Sequence, residues 1–268
     1  MDVVVLGQNL VMDVEVKNRV VDKSKFGVSL DFFLGQVDSS GNYSVPTGGF
    51  VLDLSGIKSV APLAFYDRFK KGCSAHVTKI YADDLESVGN SSFFNAFTSQ
   101  SRLEEARFGV YAVESTSAFN SVFYLSNKNA KIMFPRLRVI SGDTAFASAF
   151  DGLDVNVDEV FPVLEEITGR EAMRSFVSYK VGRTISLPSV KKITGANAYT
   201  SSMFGGVLSQ NTVWLLPNVT EITGYVWRGS SSVSAEIHFA SKNRALIEAC
   251  DGYDYKWGFE GATVYFDL

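Results

Sequence analysis

The chain has 268 residues, 46% of them hydrophobic, which is ample for a continuous core and excludes a disordered protein. Its charge is mixed and nearly balanced at −4 with no block of like charges, so the totals advertise no polyanion-binding surface and set nucleic acid aside as a partner. With 21 Phe, 11 Tyr and 22 Gly against 6 Pro, the composition suits β-rich packing with many turns.

The first residues, "MDVVVLGQNLVMDVEV", carry no basic leader, and Gln8, Asn9 and Asp13 break their apolar run, so export by the usual signal is not expected. No stretch reaches the roughly 20 apolar residues of a membrane helix, so no membrane insertion is expected. Within residues 1–50, "DVVVLGQNLVMDVEVKNRVV" and "GVSLDFFLGQV" alternate like strands, and "DSSGNYSVPTGG" reads as a turn cluster. This segment is expected to be a strand-rich cap pairing with the first coil of the repeat region, or a small attachment domain.

From residue 51 the chain repeats itself. "IKSVAPLAF" from Ile57, "LESVGNSSFF" from Leu85 and "VESTSAF" from Val113 are loose copies of a unit that becomes clear further on. There it stands as "FPRLRVISG" from Phe134, "FPVLEEITG" from Phe161, "LPSVKKITG" from Leu187 and "LPNVTEITG" from Leu216. The prolines Pro135, Pro162, Pro188 and Pro217 are 27, 26 and 29 residues apart, a solenoid period and far too long for a heptad. The equivalent aliphatics are Val60, Val88, Val113, Ile140, Ile167, Ile193 and Ile222, which gives about seven coils of 25–29 residues.

Each position has a physical role in a stacked coil. The aliphatics on either side of the polar pair point inward and rest on their equivalents in the next coil, because one coil alone cannot bury them. The polar pair faces outward from a short extended segment, and Pro suits the first residue of such a segment. The Gly is expected to relieve a turn at positive φ. The aromatic or large apolar residue beyond it, Phe146, Met173 or Tyr199 after an Ala, fills the space between layers, whereas the seventh copy has Trp227 in place of Ala-Phe.

These units resemble the BspA-like subclass of leucine-rich repeats, with its L-x-x-I-G-x-x-A-F core preceded by an aliphatic-Pro step. The resemblance covers about residues 50–240 and implies a β-rich solenoid. The tail from Ala235 is expected to be a small αβ cap: "AEIHF" a strand, Ser241 an N-cap for a helix through "RALIEA", Gly252 its stop, and "ATVYF" a final strand. Its "GY", "KWG" and terminal "FDL" resemble the ending of BspA-like proteins from gut bacteria and their phages. The expected division is therefore an N-terminal cap or docking segment at 1–50, a solenoid at 51–234 and a C-terminal cap at 235–268.

Chemistry is sparse. Walker, GxGxxG, GxSxG and HExxH motifs are absent, and two Cys and two His (Cys73, Cys250, His76, His238) have no metal-ligand spacing. The acidic groups Asp83-Asp84, Asp151-Asp154-Asp158 and Asp251-Asp254 read as solvated loops and turns. No enzyme, cofactor or metal is expected. Tyr225, Trp227, Tyr253, Tyr255 and Trp257 gather toward the C-terminal end, where they either pack into the core and cap or, as rings on a rigid support, grip a sugar or a protein pocket.

The resemblance implies a phage virion protein, such as a tail fibre, tail-tip or head-fibre component. It would dock to other virion proteins through its N-terminal segment and present its repeats to a glycan or protein of the bacterial surface. Such proteins form homo-oligomers, trimers being usual for fibres. The alternative is a bacterial surface adhesin of BspA-like type.

Overall fold

In the computed structural model the described residues are 3–6, 9–13, 20–21, 36–37, 43–44, 50–67, 77–177, 183–195, 211–227 and 234–268, with backbone only before residue 51. Cys73, His76 and Tyr199 lie outside them. In chain order the first strands are β1 (Val3–Leu6), β2 (Asn9–Asp13), β3 (Val20–Val21), β4 (Gln36–Val37) and β5 (Tyr43–Ser44). Longer and very short strands then alternate: β6 (Phe50–Asp53), β7 (Ser59–Val60), β8 (Val77–Ala82), β9 (Ser87–Val88), β10 (Glu105–Phe108), β11 (Ala112–Val113), β12 (Lys131–Met133) and β13 (Val139–Ile140). After one helical turn, α1 (Val157–Val160), come β14 (Glu166–Ile167), β15 (Thr184–Ser186), β16 (Lys192–Thr194), β17 (Thr212–Leu216) and β18 (Glu221–Thr223). The chain ends in β19 (Ala235–Phe239), α2 (Arg244–Glu248) and β20 (Ala262–Phe266).

The result is a parallel β-solenoid of about seven turns. The short strands form one wall in two sheets, and the repeat aliphatics stack there in register: Val60 on Val88 in the first, and Val113, Ile140, Ile167, Ile193 and Ile222 in succession in the second. All seven are buried, as the periodicity requires. The polar pair points outward and is answered across coils, with Lys58 on Glu86 at 2.8 Å and Lys192 on Glu221 at 2.8 Å.

The longer strands form a second wall, in two sheets. The first runs β1-β2-β6-β8-β10-β12 and the second β15-β17-β19-β20, parallel except for the β1-β2 hairpin. Leu52, Ile80, Ala106 and Ile132 stack inward in the first, and Ile185, Trp214, Ile237 and Val264 in the second. Between them, where a further strand would stand, "DGLDVNVDEV" forms α1. Its Val160 carbonyl accepts from the Phe134 N–H at 2.8 Å, and the Arg183 guanidinium donates to Val155 O at 2.7 Å. The N-terminal strands continue both walls: β2 pairs with β6, and β3 with β7.

Among the described residues, the third side of the coils before Val177 is a string of tight turns. A non-glycine residue takes the left-handed conformation every fourth position: Ser91, Asn95 and Ser99 in one coil, Ser117, Ser121 and Leu125 in the next, Thr144 and Ser148 after that. Such a residue costs about 1–2 kcal/mol relative to the right-handed form. The N–H of each donates to the coil below, as in Ser91 to Thr116 O at 2.9 Å and Ser117 to Asp143 O at 2.8 Å, so the strain is offset by a bond between coils. Between these residues the side chains at two neighbouring positions turn inward, for example Ala118 and Phe119, then Val122 and Phe123.

Those inward rings stack into columns. Phe65, Phe93, Phe119 and Phe146 lie 4.9–5.1 Å apart and within 12° of parallel. Phe97, Phe123 and Phe150 form a second column at 5.8–6.2 Å. At the corner before the proline position, Phe108, Phe134 and Phe161 form a third, whose rings meet the first edge-on, as Phe119 meets Phe134 at 5.1 Å and 86°. The spacing of the first column is close to the strand spacing of about 4.8 Å, so identical residues at identical positions rest on one another from coil to coil.

The repeat glycines have a different cause from the one expected. Gly142, Gly169 and Gly195 are not among the positive-φ residues; a Cβ on them would lie 2.3 Å from Ser115 O, Gly142 O and Tyr225 C respectively. Coil-to-coil approach excludes a side chain. Only in the seventh copy does the glycine, Gly224, have a left-handed φ of 69°. The N-cap expected of Ser241 is also absent: its hydroxyl donates to Phe266 O at 2.9 Å, tying α2's approach to β20, and a 3-10 turn at Ser241–Asn243 precedes the helix.

Candidate surface groove across the coils

On the short-strand wall the outward residues of successive coils line a groove of about 510 Å³. Its lining comes from equivalent positions: Arg138, Glu165, Lys191 and Thr220 just before the short strands, and Val163, Ser189 and Asn218 just after the prolines, with Lys242 and Asn243 closing one end. The repeat therefore builds the site, because residues about 27 apart in sequence stand one strand spacing apart in space.

The post-proline positions hold the groove's rim. Ser189 Oγ donates to Pro162 O at 2.8 Å, Asn218 Nδ2 to Pro188 O at 2.7 Å, and Asn243 Nδ2 to Pro217 O at 3.4 Å and Val219 O at 3.1 Å. The carbonyls of Pro162, Pro188 and Pro217 are thus each satisfied by a side chain one coil on. Arg136 repeats the device earlier, donating through Nε to Gly109 O at 2.7 Å and through Nη2 to Asp83 O at 2.6 Å.

At the centre, the Glu165 carboxylate lies between two cations, bonded to the Arg138 guanidinium and 2.9 Å from Lys191 Nζ. The Lys191 hydrogen bond is the main reason its carboxyl is held below the usual carboxylate range, with Arg138 adding to the effect. Arg138 and Lys191 remain more than half exposed while paired, so both still present positive charge to solvent. Lys242 adds a third, exposed cation.

The C-terminal aromatics separate into two groups. Trp227 and Trp257 are fully buried, packing against each other at 6.1 Å and, for Trp227, edge-on to Trp214 at 5.5 Å; the expectation that they line a surface is corrected. An indole fills the slot that Ala-Phe fills elsewhere. Tyr225 and Tyr255 lie ring on ring at 5.5 Å, Tyr255 partly exposed, and Tyr253 packs edge-on against Trp257 at 5.7 Å. Desolvation pushes the Tyr253 and Tyr255 phenols up, so both rings stay neutral at physiological pH. The five aromatics do converge, but as a packed cluster with a tyrosine edge.

Cys250 is a free, half-buried thiol whose sulfur accepts from the Ile222 N–H at 3.4 Å. His238 is bracketed by Asp267 at 2.8 Å and Glu236 at 3.2 Å and stacks on Tyr265. Among the described residues no three His, Cys, Asp or Glu side chains are placed to hold a metal ion, and no helix is long and apolar enough to cross a membrane.

The groove residues Arg138, Glu165, Lys191 and Lys242 escaped the sequence reading. Their signal was present: the residue two before each repeat aliphatic reads Arg, Glu, Lys down the column at Arg138, Glu165 and Lys191, but one copy at a time it is only a solvated strand residue. Compared with protein-family models, curated proteins and solved structures, the chain matches none.

Proposed function

We propose that this chain is a non-enzymatic structural protein of a phage virion, a tail fibre, tail-tip or head-fibre component that presents a rigid repeat surface to a bacterial surface. The observation that carries this reading is a groove assembled from equivalent outward side chains of successive coils over a core of stacked rings. A surface of this kind is preorganised and extended, which favours long or repetitive ligands and lowers the ordering cost of binding. The coils are of the BspA-like leucine-rich type, residues 1–50 dock to other virion proteins, and 235–268 cap the column. Display in several copies, as a trimer, multiplies weak contacts. The terminal tail, with "GY", "KWG" and "FDL", supports the phage assignment.

The test is adsorption of the fluorescently labelled full chain to intact bacterial cells and to immobilised host matrix proteins, with its mass measured by light scattering. Saturable binding to cells by a trimer is expected. Binding to matrix proteins alone would transfer the chain to the adhesins, and binding to neither would overturn the attachment role.

A further inference from the structure

The groove has a charge rhythm that the overall net charge of −4 conceals. Taking Arg138's coil as the start, Glu165 lies one coil on, Lys191 two and Thr220 three. Lys242 is at the level of the fourth, since its neighbour Asn243 reaches the Pro217 and Val219 carbonyls just as Asn218 reaches Pro188. The three cations therefore recur at every second coil, about 10 Å apart along the column axis at the usual strand spacing, with Lys242 in the proline row rather than in the row of Arg138 and Lys191. Between Arg138 and Lys191 stand Glu165 and the apolar Val163, between Lys191 and Lys242 the neutral Thr220 and Asn218, and Ser189 shares the coil of Lys191.

We infer that the groove binds an extended acidic polysaccharide with one carboxylate per disaccharide, its charged sugars lying over Arg138, Lys191 and Lys242 and its neutral sugars over the intermediate coils, one at Glu165 and Val163 and the next at Thr220 and Asn218. Two sugars of an extended chain span about two coils, so the polymer's period matches the column's. Ser189 and Asn218 each already donate to a proline carbonyl, which fixes their orientation and leaves their oxygens as acceptors for sugar hydroxyls. Glu165 is the resident counter-ion: it neutralises Arg138 and Lys191 in the empty groove and competes with the ligand for them. A polymer with denser charge would press a carboxylate against Glu165, so the acid also selects for spacing.

This rests on the attachment reading for its biological setting, but its test does not. The full chain is titrated at low salt with a hyaluronan octasaccharide, which has one carboxylate per disaccharide, with an oligogalacturonate, which has one per sugar, with polyphosphate and with neutral maltooctaose. Hyaluronan should bind best and maltooctaose not at all, with affinity falling as salt rises. Lys191→Glu and Lys242→Glu, both at exposed positions, should each weaken hyaluronan about tenfold, and Glu165→Gln should tighten it several-fold and narrow the gap to oligogalacturonate. Equal binding of maltooctaose, indifference to the lysine reversals, or preference for polyphosphate would overturn the inference. Cell adsorption of the Lys191→Glu chain separates the two readings. Cells bound equally by both chains would remove the groove and keep attachment, whereas hyaluronan binding lost in the variant, with cells bound by neither chain, would keep the groove and remove attachment.

Discussion

Two stretches of the column solve the same packing problem differently. From Phe65 to Phe161 the interior is three columns of phenylalanine, each ring resting on its own kind one coil away. From Arg183 onward the corner position holds Leu187, Leu216 and then Phe239, and the interior is filled by Trp214, Trp227 and Trp257 meeting edge-on or tilted. The backbone repeats in both. Stacking of like rings ties each coil's side chain to its neighbours' identity, while the indoles fill volume without a repeating geometry. Among the described residues, sequence regularity is thus a requirement of ring packing in the first stretch, whereas in the second it shows in the stacked aliphatics Ile193 and Ile222.

The largest test of that contrast is Phe119→Ala, which removes a ring touching Phe93, Phe108, Phe134 and Phe146 and should lower unfolding free energy by about 3–5 kcal/mol in denaturant titration. Combined with Phe146→Ala it should be non-additive by about 0.5–3 kcal/mol, since the rings are stacked; combined with Trp227→Ala in the other half it should add to within about 0.5 kcal/mol. Next in size is Gly142→Ala, whose methyl would strike Ser115 O and should cost about 1–3 kcal/mol by overpacking. Gly224→Ala acts through its left-handed φ instead and should cost about 1 kcal/mol. Asn218→Ala, which removes the donor to Pro188 O, should cost about 1 kcal/mol and leave the ring columns' near-ultraviolet signal unchanged.

The smallest effect is a pH dependence. The Glu165 carboxyl is lowered in the folded state, so its contribution is present above the ordinary carboxylate range and disappears as the pH falls through the folded value. Stability of the wild type should therefore decline more steeply on acidification than that of Glu165→Gln, most visibly at low salt. Lys191→Ala should flatten the slope in the same direction, because Lys191 is the main cause of the shift.

Much of the column was legible because stacking writes itself into spacing. The seven aliphatics are all buried and fall in register within two short-strand sheets, and Phe146 and Met173 occupy the slot assigned to them. The long-strand wall was not legible as a repeat: its inward residues are Ile80, Ala106, Ile132, Ile185 and Trp214, which share only alternation. The glycines were found for the wrong reason, since crowding by a neighbouring coil leaves no trace in local sequence. Trp227 and Trp257 stood as candidates for a binding surface with core and cap packing as the alternative, because an aromatic near a chain end looks the same whether it packs or projects. The groove became visible only when residues one period apart were set side by side.

The helical turn α1 gives the column a mechanical consequence. On the long-strand side hydrogen bonding between sheets stops at β12 and resumes at β15, whereas on the short-strand side it runs unbroken from β13 through β14 to β16. A load applied along the axis is then carried by a ladder on the short-strand side and by turn-to-turn bonds, such as Phe146 N–H to Ala172 O, on the third side, but by isolated bonds, such as Phe134 N–H to Val160 O, on the long-strand side. The molecule should yield there first, opening like a hinge about β13, β14 and β16, and the joint lies in the same coils as one end of the charged groove.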